Sequence, residues 1–360
     1  MRKQYITSLK GIACLLVAFG HFWGIFKYAA TIPMSADWFL WMEKFRLDFL
    51  LHESFWLYLF FVVSGYLVAR SKITNLYDLV VKGILRFLRL ALPIFAACLI
   101  VFLFTRLIPF SSADTKALFE NKWLQNAYAS DLNIRNILLS PIDILILGRT
   151  TVNSTFWVLR YMMAASFLIY FLSYLKTKAF MSKALLPFLL ALAVILYFFN
   201  EVLFVCVLGA ILCYYENSIQ KLLSSKIILI VSGILCLLLS FVNMTYGAIA
   251  TFSWLLMAIP NFEKIRKAIE AKPLAFLGDI SFGVYAFHWP IFCSLGCYIV
   301  IKLWHLIGCT SSVILAIAVS TLATILISVG FYYAVERPIG KLLTKLKDFH
   351  TKFAYRTKAS

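Results

Sequence analysis

Charged residues are scarce in this 360-residue chain. They make up 14% of the sequence, whereas hydrophobic residues make up 62% and include 33 Phe and 18 Tyr. An ordinary soluble domain is near half apolar and a quarter charged, so a water-soluble enzyme is excluded. Intrinsic disorder is excluded too, because disordered segments have low hydrophobicity. The apolar runs are long and unbroken, unlike the alternating strands of a membrane β-barrel. The composition therefore predicts an all-α polytopic transmembrane bundle.

The sequence also lacks the cysteine and terminal patterns of several other classes. It contains no CxxC, and most of its eight cysteines lie in apolar segments, so we expect neither a disulfide framework nor a metal site. The basic start is not followed by a small-residue cleavage site, so we expect no cleaved signal peptide. Without repeats or low-complexity segments, the chain is predicted to form one transmembrane domain at 1–340 and a basic cytoplasmic tail at 341–360.

Ten apolar segments are predicted to span the membrane, since a bilayer core needs about 20 apolar residues per helix. They lie at 7–29, 54–70, 86–108, 156–175, 184–199, 201–215, 227–243, 245–260, 276–301 and 312–334. With the N-terminus in the cytoplasm, most of the 34 Lys and Arg residues fall on the cytoplasmic side. Ten helices with both termini cytoplasmic are thus expected. The net charge of +18 then faces the lipid bilayer and cytosolic anions, with no nucleic acid partner.

Two connections on the opposite side of the membrane have distinctive compositions. The longest, 109–155, has balanced charges and an apolar patch at Ile142–Leu147 that suits a re-entrant or an interfacial segment. The stretch 31–53 mixes aromatic with charged residues, which predicts a helix lying at the outer interface.

Two candidate residues share one face of the first helix. Lys10 and His21 are separated by about three helical turns, which places His21 ~16 Å deeper in the membrane. Ionisable groups within a span are costly and are therefore candidates for function. A neutral imidazole suits general-base catalysis near neutral pH. The alternative is a snorkelling lysine with a histidine bonded to a neighbouring helix.

Small and basic residues follow at the cytoplasmic ends of the next two spans. Ser64 and Gly65 lie one turn or more before Arg70, and Gly65 lets a helix or a ligand approach the backbone closely. Arg86 and Arg89 share a helical face, and arginine forks suit phosphates. The alternatives are helix packing for the first set and topological anchoring for the second.

The last two spans carry a histidine and a carboxylate. Ser281, Tyr285 and His288 line one face of the ninth span, with His288 at a depth comparable to that of His21. Two histidines at similar depth indicate a site more sharply than either alone. Glu336 precedes Arg337-Pro338 at the end of the last span, where it is expected to pair with Arg86 or Arg89. The alternative for Glu336-Arg337-Pro338 is a helix terminator.

These patterns together resemble the acyltransferase 3 family of membrane-bound acyltransferases, over about residues 5 to 340. The matching phrases are Lys10 with His21; Phe60–Val68; Arg86 and Arg89 with Pro93; Leu277–Pro290; and Glu336–Pro338. The resemblance implies a multi-pass protein, typically of the bacterial cytoplasmic membrane. It would move an acyl group, usually acetyl, from cytosolic acetyl-CoA to a hydroxyl of a cell-surface or lipid-linked carbohydrate of the cell envelope. No fused esterase-like domain is expected.

The chain departs from the family pattern at one position. Many members carry Trp-x-Leu-x-x-Glu, whereas Trp157–Met162 ends in methionine. The methionine removes one candidate general acid or base. It also indicates a distinct branch of the family, with its own choice of acceptor. Whether Arg160 compensates stays open.

The predicted site has three groups of residues. Catalysis is assigned to His21 as general base, with His288 as a second candidate base or, with Tyr285 or Ser281, an oxyanion stabiliser. Binding of the acyl-CoA phosphates is assigned to Lys10, Arg70, Arg86 and Arg89. A structural role is assigned to Ser64, Gly65, Trp157, Arg160 and Glu336. No resident cofactor is expected, because acyl-CoA is the donor substrate.

Several alternatives stay open at this point. Direct transfer and a covalent acyl-enzyme relay both fit these residues. A transporter or flippase for lipid-linked sugars would also have about ten helices and intramembrane polar residues. A non-catalytic family member is the third reading, motivated by Met162. The sequence does not identify the acceptor sugar, its attachment to a polyprenyl carrier, the acyl length or the oligomeric state.

Overall fold

The computed structural model describes residues 3–27, 44–128, 132–178 and 181–356, without the side chains of 26–27, 181–183 and 348–356. Within these ranges the chain is predominantly helical and contains no β-strand, which confirms the predicted all-α class. Most of the interfacial helix predicted at 31–53 lies outside the described residues; the part that is described holds a single 3₁₀ turn, Asp48–Leu51.

The helices follow one another with short connections. In chain order they are α1 (Gln4–Lys27), α2 (Glu53–Ala69), α3 (Leu76–Leu107), α4 (Lys122–Gln125), α5 (Ile134–Ile142), α6 (Trp157–Leu175), α7 (Met181–Phe199), α8 (Glu201–Tyr214), α9 (Glu216–Leu223), α10 (Lys226–Val242), α11 (Met244–Ala258), α12 (Glu263–Ile269), α13 (Lys272–Asp279), α14 (Ser281–Ile291), α15 (Cys297–Ile307), α16 (Cys309–Phe331) and α17 (Arg337–Arg356). Every predicted span coincides with a helix or, for 276–301, with the run α13–α15.

Fewer helices than ten are long and apolar enough to cross a membrane. Within the described ranges five segments qualify, or six if the pair α8–α9, which is bent by 76°, counts as one span. The five are Gln4–Ile25, Leu76–Leu107, Ser154–Leu175, Ser281–Ile307 and Cys309–Lys347. The helices α2 and α10 have 17 residues each. At ~1.5 Å per residue, that length falls short of a core of ~30 Å. The predicted count of ten spans is therefore not confirmed.

Two helix boundaries differ from the predictions. Helix α3 begins at Leu76 rather than 86, because the Asn75 side chain caps it by accepting a hydrogen bond from the Asp78 N–H at 2.8 Å. The last span does not terminate at Glu336. It continues through a π-turn, Tyr332–Glu336, directly into α17. Local π-turns are one means by which helices accommodate proline, and here Pro338 follows at once.

Close backbone contacts hold α1 and α2 at the centre of the bundle. Helix α1 packs on α2, α13 and α14, and α2 also packs on α8 and α11. A side chain at Gly65 would overlap the carbonyl of Cys206 on α8, and one at Gly278 would overlap the carbonyl of Thr7 on α1. The packing interpretation of Gly65 is thus the one that the structure supports.

The bundle has two dissimilar ends. The basic end contains the N-terminal halves of α1 and α3, with Lys10 and Arg86, and the loop end contains the connection between α3 and α6. That connection holds α4, α5 and a π-turn, Asp143–Leu147. The apolar patch predicted there is only partly buried: Ile144 and Leu145 are buried, whereas Ile146 and Leu147 are exposed.

Candidate active site

A cavity of about 820 Å³ lies at the basic end, among α1, α2, α3, α6, α14 and the α16–α17 junction. These helices are far apart in sequence, and the packing of α1 against α2, α13 and α14 brings them together. The predicted site residues that line the cavity are Lys10, Ser64, Arg86, Arg89, Ser281, Tyr285 and Glu336. We refer to this space as the basic cavity.

Cations outnumber acids around the basic cavity. Two lysines join the predicted cations, namely Lys82 and Lys347, and the acids are Asp279 and Glu336. The sequence contained a signal for Lys82, which lies one turn before Arg86 and so shares its face. Lys347 was missed because α17 was not expected to continue the last span. An excess of positive charge in a recess concentrates anionic ligands.

Helix α6 fixes the orientation of Arg86. The Arg86 Nε donates to Ser166 Oγ at 3.0 Å, and the Ser166 hydroxyl donates to the Met162 carbonyl at 2.7 Å. Ser166 is buried, so this chain of hydrogen bonds is shielded from solvent. The bond uses only Nε, so the two terminal nitrogens of the guanidinium remain as a fork for an anion.

Glu336 occupies a different setting from the one predicted. No ion pair joins it to Arg86 or Arg89 in the described part of the chain. Its carboxylate instead lies near the backbone N–H of Gly283, in the first turn of α14, and close enough to Lys10 for an electrostatic interaction. Helix N-termini offer unpaired N–H groups and favour negative charge, which explains the placement. Glu336 thereby ties the α16–α17 junction to α14.

The two predicted histidines are in direct contact beyond the basic cavity. Nδ1 of His21 lies 2.9 Å from Nε2 of His288, and the rings stack with centroids 5.1 Å apart. His288 is 1% exposed, whereas His21 is only half-buried. Helical rise alone predicted only that the two histidines lie at similar depths. In the structure they also form a hydrogen-bonded pair.

The surroundings of His288 determine which nitrogen carries each proton. Nδ1 of His288 faces the carbonyl oxygens of Val284 at 3.1 Å and Tyr285 at 2.8 Å, which can only accept. Nδ1 is therefore protonated, and Nε2 of the neutral ring accepts from Nδ1–H of His21. The proton-free nitrogen of His21 is then Nε2. This is the arrangement of a general base supported from behind by a second group.

The hydroxyls predicted to stabilise an oxyanion already have acceptors. Tyr285 donates to the carbonyl oxygen of Thr155, just before α6, and Ser281 donates to the Gly278 carbonyl at 2.8 Å. Tyr285 lines the basic cavity, and its ring centroid lies 6.2 Å from that of His288. In this arrangement Tyr285 forms a wall between the cavity and the histidine pair.

Four predicted residues lie apart from both the cavity and the histidine pair. Arg70 is exposed and donates to the hydroxyl of Tyr66, which belongs to a network with Lys3 and Glu216. Gly65 contacts α8, as described above. Trp157 packs on Tyr161, and Arg160 packs against Gly148 in the loop-end connection.

The position that carries Glu in many family members lines the basic cavity. Met162 occupies it here. Arg160 points to a different neighbour and does not replace the carboxylate. Nowhere in the described ranges do three or more His, Cys, Asp or Glu side chains gather as a potential metal site.

Aromatic residues surround His21 at the loop end, and no motif in the sequence indicated that they belong to the site. The ring centroid of Trp123 lies 5.5 Å from that of His21, and the centroid of Trp289 lies 5.9 Å from it. Trp123 and Trp289 stack on each other at 4.1 Å. His52, at the start of α2, interacts electrostatically with His21. The sequence signal for Trp289 was its position directly after His288.

Comparisons with known proteins place the chain in a family. A family model described as an acyltransferase domain, that of acyltransferase 3, matches residues 3–333. Neither the curated proteins nor the solved structures contain a match. The match covers nearly the whole chain, including the histidine pair and the part of the basic cavity formed by α1, α2, α3, α6 and α14. The chain therefore belongs to the acyltransferase 3 family of membrane acyltransferases.

Proposed function

We propose that this protein transfers an acetyl group from cytosolic acetyl-CoA to a hydroxyl of a cell-surface or lipid-linked carbohydrate. The observation that carries the proposal is the hydrogen-bonded pair His21–His288 beyond a cavity lined by five cations. A polyanionic donor and a hydroxyl acceptor require these two elements, a cation-lined recess and a base. A CoA carries several phosphates, which Arg and Lys bind through charge-assisted hydrogen bonds.

The donor is held with its phosphates at the basic end. Arg86 and Arg89 share one face of α3, and Lys10 approaches from α1. The long flexible arm of CoA then extends along the α14 face that carries Ser281 and Tyr285. Because Tyr285 adjoins both the cavity and His288, the thioester comes within one side chain of the histidine pair.

The histidine pair activates the acceptor. Nε2 of His21 removes the proton of the acceptor hydroxyl as its oxygen attacks the thioester carbonyl carbon. The new C–O bond forms, the C–S bond breaks, and the CoA thiolate receives the proton from His21. Nε2 of His288 accepts from His21 Nδ1–H throughout, so it stabilises the imidazolium that forms between these steps.

The direct test is transfer of labelled acetyl by the purified protein in nanodiscs. Base-treated envelope polysaccharide from the source cells, which has lost its O-acetyl groups, serves as acceptor. Proton NMR of the product reports new O-acetyl signals. Acetyl appearing on the polysaccharide supports the proposal, and an O-acetyl signal that persists in cells lacking the protein contradicts it.

Two rival functions give other results when acetyl-CoA binding is measured alongside acetyl transfer. A flippase moves lipid-linked sugar without binding acetyl-CoA, so equilibrium dialysis with labelled acetyl-CoA shows no binding. A non-catalytic member, which Met162 in the cavity favours, binds acetyl-CoA and yields no acetylated product.

A further inference from the structure

We infer that Trp123 is the platform on which the acceptor sugar stacks, reached from the loop end and opposite the donor. This inference rests on the proposed function, because it assigns the second substrate of the same histidine pair. Trp123 lies in the connection between α3 and α6, a segment to which no role has been given above.

Hydrogen bonds to distant backbone fix the position of Trp123. Asn121 donates through Nδ2 to the Ile25 carbonyl at 3.0 Å, at the end of α1. Its Oδ1 accepts from the Leu124 N–H at 3.1 Å and so caps α4, which carries Trp123. Phe119 and Leu124 are 3% and 0% exposed, so the flanks of α4 are anchored in the core. The indole therefore occupies a preorganised site rather than a loose loop.

The ring of Trp123 is half exposed and lies close to the catalytic histidine. The residue is 47% exposed although it stacks on fully buried Trp289 at an angle of 29°. Its centroid is 5.5 Å from that of His21, the half-buried member of the pair. An aromatic face binds the apolar face of a sugar ring, while the ring's hydroxyls stay at its edge. A pyranose on Trp123 thus brings a hydroxyl to the rim where His21 lies.

Polar groups accompany Trp123 at this end of the bundle. The indole N–H of Trp289 is buried and has no hydrogen-bond partner among the described residues. Buried donors are normally paired, so this one leaves an unsatisfied polar atom directly behind the Trp123 ring. His52 and Glu53 also lie at this end, half-buried, and form an ion pair at 3.5 Å when His52 is protonated. An exposed aromatic ring with polar groups nearby is typical of a carbohydrate subsite.

An interfacial anchor is the competing role for an exposed tryptophan. Trp side chains are enriched where membrane meets water, and such residues face the lipid headgroups. Trp123 instead stacks on one buried indole and adjoins the histidine pair, which favours the ligand role. The two roles differ in their effect on the acceptor KM.

The test compares Trp123→Ala, Trp123→Phe and the control Tyr298→Ala. Tyr298 is 49% exposed on α15 and lies outside both the basic cavity and the surroundings of His21. Transfer from labelled acetyl-CoA to the base-treated polysaccharide is measured in nanodiscs. We expect Trp123→Ala to raise the acceptor KM about tenfold, with the acetyl-CoA KM unchanged and Trp123→Phe close to wild type. An unchanged acceptor KM, or an equal rise in Tyr298→Ala, overturns the inference.

A binding measurement separates failure of this inference from failure of the proposed function. Oligosaccharides prepared from the same polysaccharide are tritiated, and their Kd is measured by equilibrium dialysis in the absence of any acyl donor. A Kd that is about tenfold weaker in Trp123→Ala supports the platform even if wild type transfers no acetyl. An equal Kd in wild type and Trp123→Ala, or no binding to wild type, overturns it even if acetyl is transferred.

Discussion

The two ends of this bundle are built by different means. At the basic end, Lys10, Arg86 and Arg89 project from long helices at helical spacing and surround a cavity. At the loop end, Trp123 sits on a four-residue helix held by a hydrogen bond from Asn121 to the carbonyl of Ile25. Between them stand Tyr285 and the histidine pair.

The difference corresponds to two kinds of recognition. Charge acts over many ångströms, so cations on helix faces attract a polyanion without a closely fitted surface. An uncharged ring is recognised only in contact, so it requires a side chain held in one place. On the proposed function, the donor is captured at the end built from helices and the acceptor at the end built from anchored loops.

The two ends of the bundle serve one reaction only if His21 is the base that both substrates reach. His21→Ala removes that base, and we expect kcat to fall by about 10²–10⁴-fold. Binding of acetyl-CoA should be unchanged, because the cavity that holds it lies below Tyr285. Labelled transfer and equilibrium dialysis measure the two quantities. His305→Ala, an exposed histidine on α15, is the control, and full activity in His21→Ala would remove the catalytic assignment.

The charged end is tested by removing its arginines. Arg86→Ala combined with Arg89→Ala should raise the acetyl-CoA KM by about 10²–10⁴-fold, since two charged hydrogen bonds of ~1.5–3 kcal/mol each are lost. The acceptor KM should stay constant. Arg106→Ala is the matched control, because Arg106 lies on the same helix at the loop end, over the ring of Phe102 at 4.8 Å. Equal effects from both variants would contradict a localised donor site.

The packing beside the basic cavity is tested at Gly65. Gly65→Ala places a methyl group against the Cys206 carbonyl, so we expect the free energy of unfolding to fall by about 1–3 kcal/mol. Gly24→Ala, on α1 near the loop end, meets nothing within 4 Å and serves as the control. Unfolding in detergent, followed by circular dichroism, measures both. Similar stabilities would show that α2 and α8 separate without cost.

Substitution of Tyr285, which lies between the basic cavity and the histidine pair, has the smallest expected effect. Tyr285→Phe deletes the hydroxyl that donates to Thr155, and we expect kcat to fall only a few-fold, since one neutral hydrogen bond contributes ~0.5–1.5 kcal/mol. A loss of about 10²–10³-fold would instead identify Tyr285 as an oxyanion donor, contrary to the structure. Single-turnover kinetics with saturating acetyl-CoA separates this effect from donor binding.

Helical periodicity predicted much of the basic end and of the histidine pair. The rise and turn of a helix placed Ser281, Tyr285 and His288 on one face and gave His21 and His288 similar depths. The packing of α1 against α14 then brings the two histidines into contact. Helical periodicity also explains the misplaced Arg70. Six residues separate Arg70 from Ser64, which turns the two ~120° apart around α2, so Arg70 joins Tyr66 instead.

The loop end and the last span were less predictable because they depend on contacts between distant segments. Trp123 owes its place to Asn121 and Ile25, which are 96 residues apart, and no local pattern encodes that bond. Glu336 was expected to meet arginines across the cavity, whereas the start of α14 offers it a backbone N–H. Pro338 suggested the end of a helix that in fact continues, so Lys347 was overlooked.

The π-turn Phe292–Gly296 gives the region around His288 a particular tolerance in evolution. A π-turn holds one residue more than a regular helix over the same turn, so deleting one residue there restores α-geometry while the following helix keeps its facing. The segment ahead of it, with Tyr285, His288 and Trp289, keeps its facing. Loss of one residue at 292–296 can therefore be accommodated with the histidine pair and the face that α15 presents at the loop end both retained.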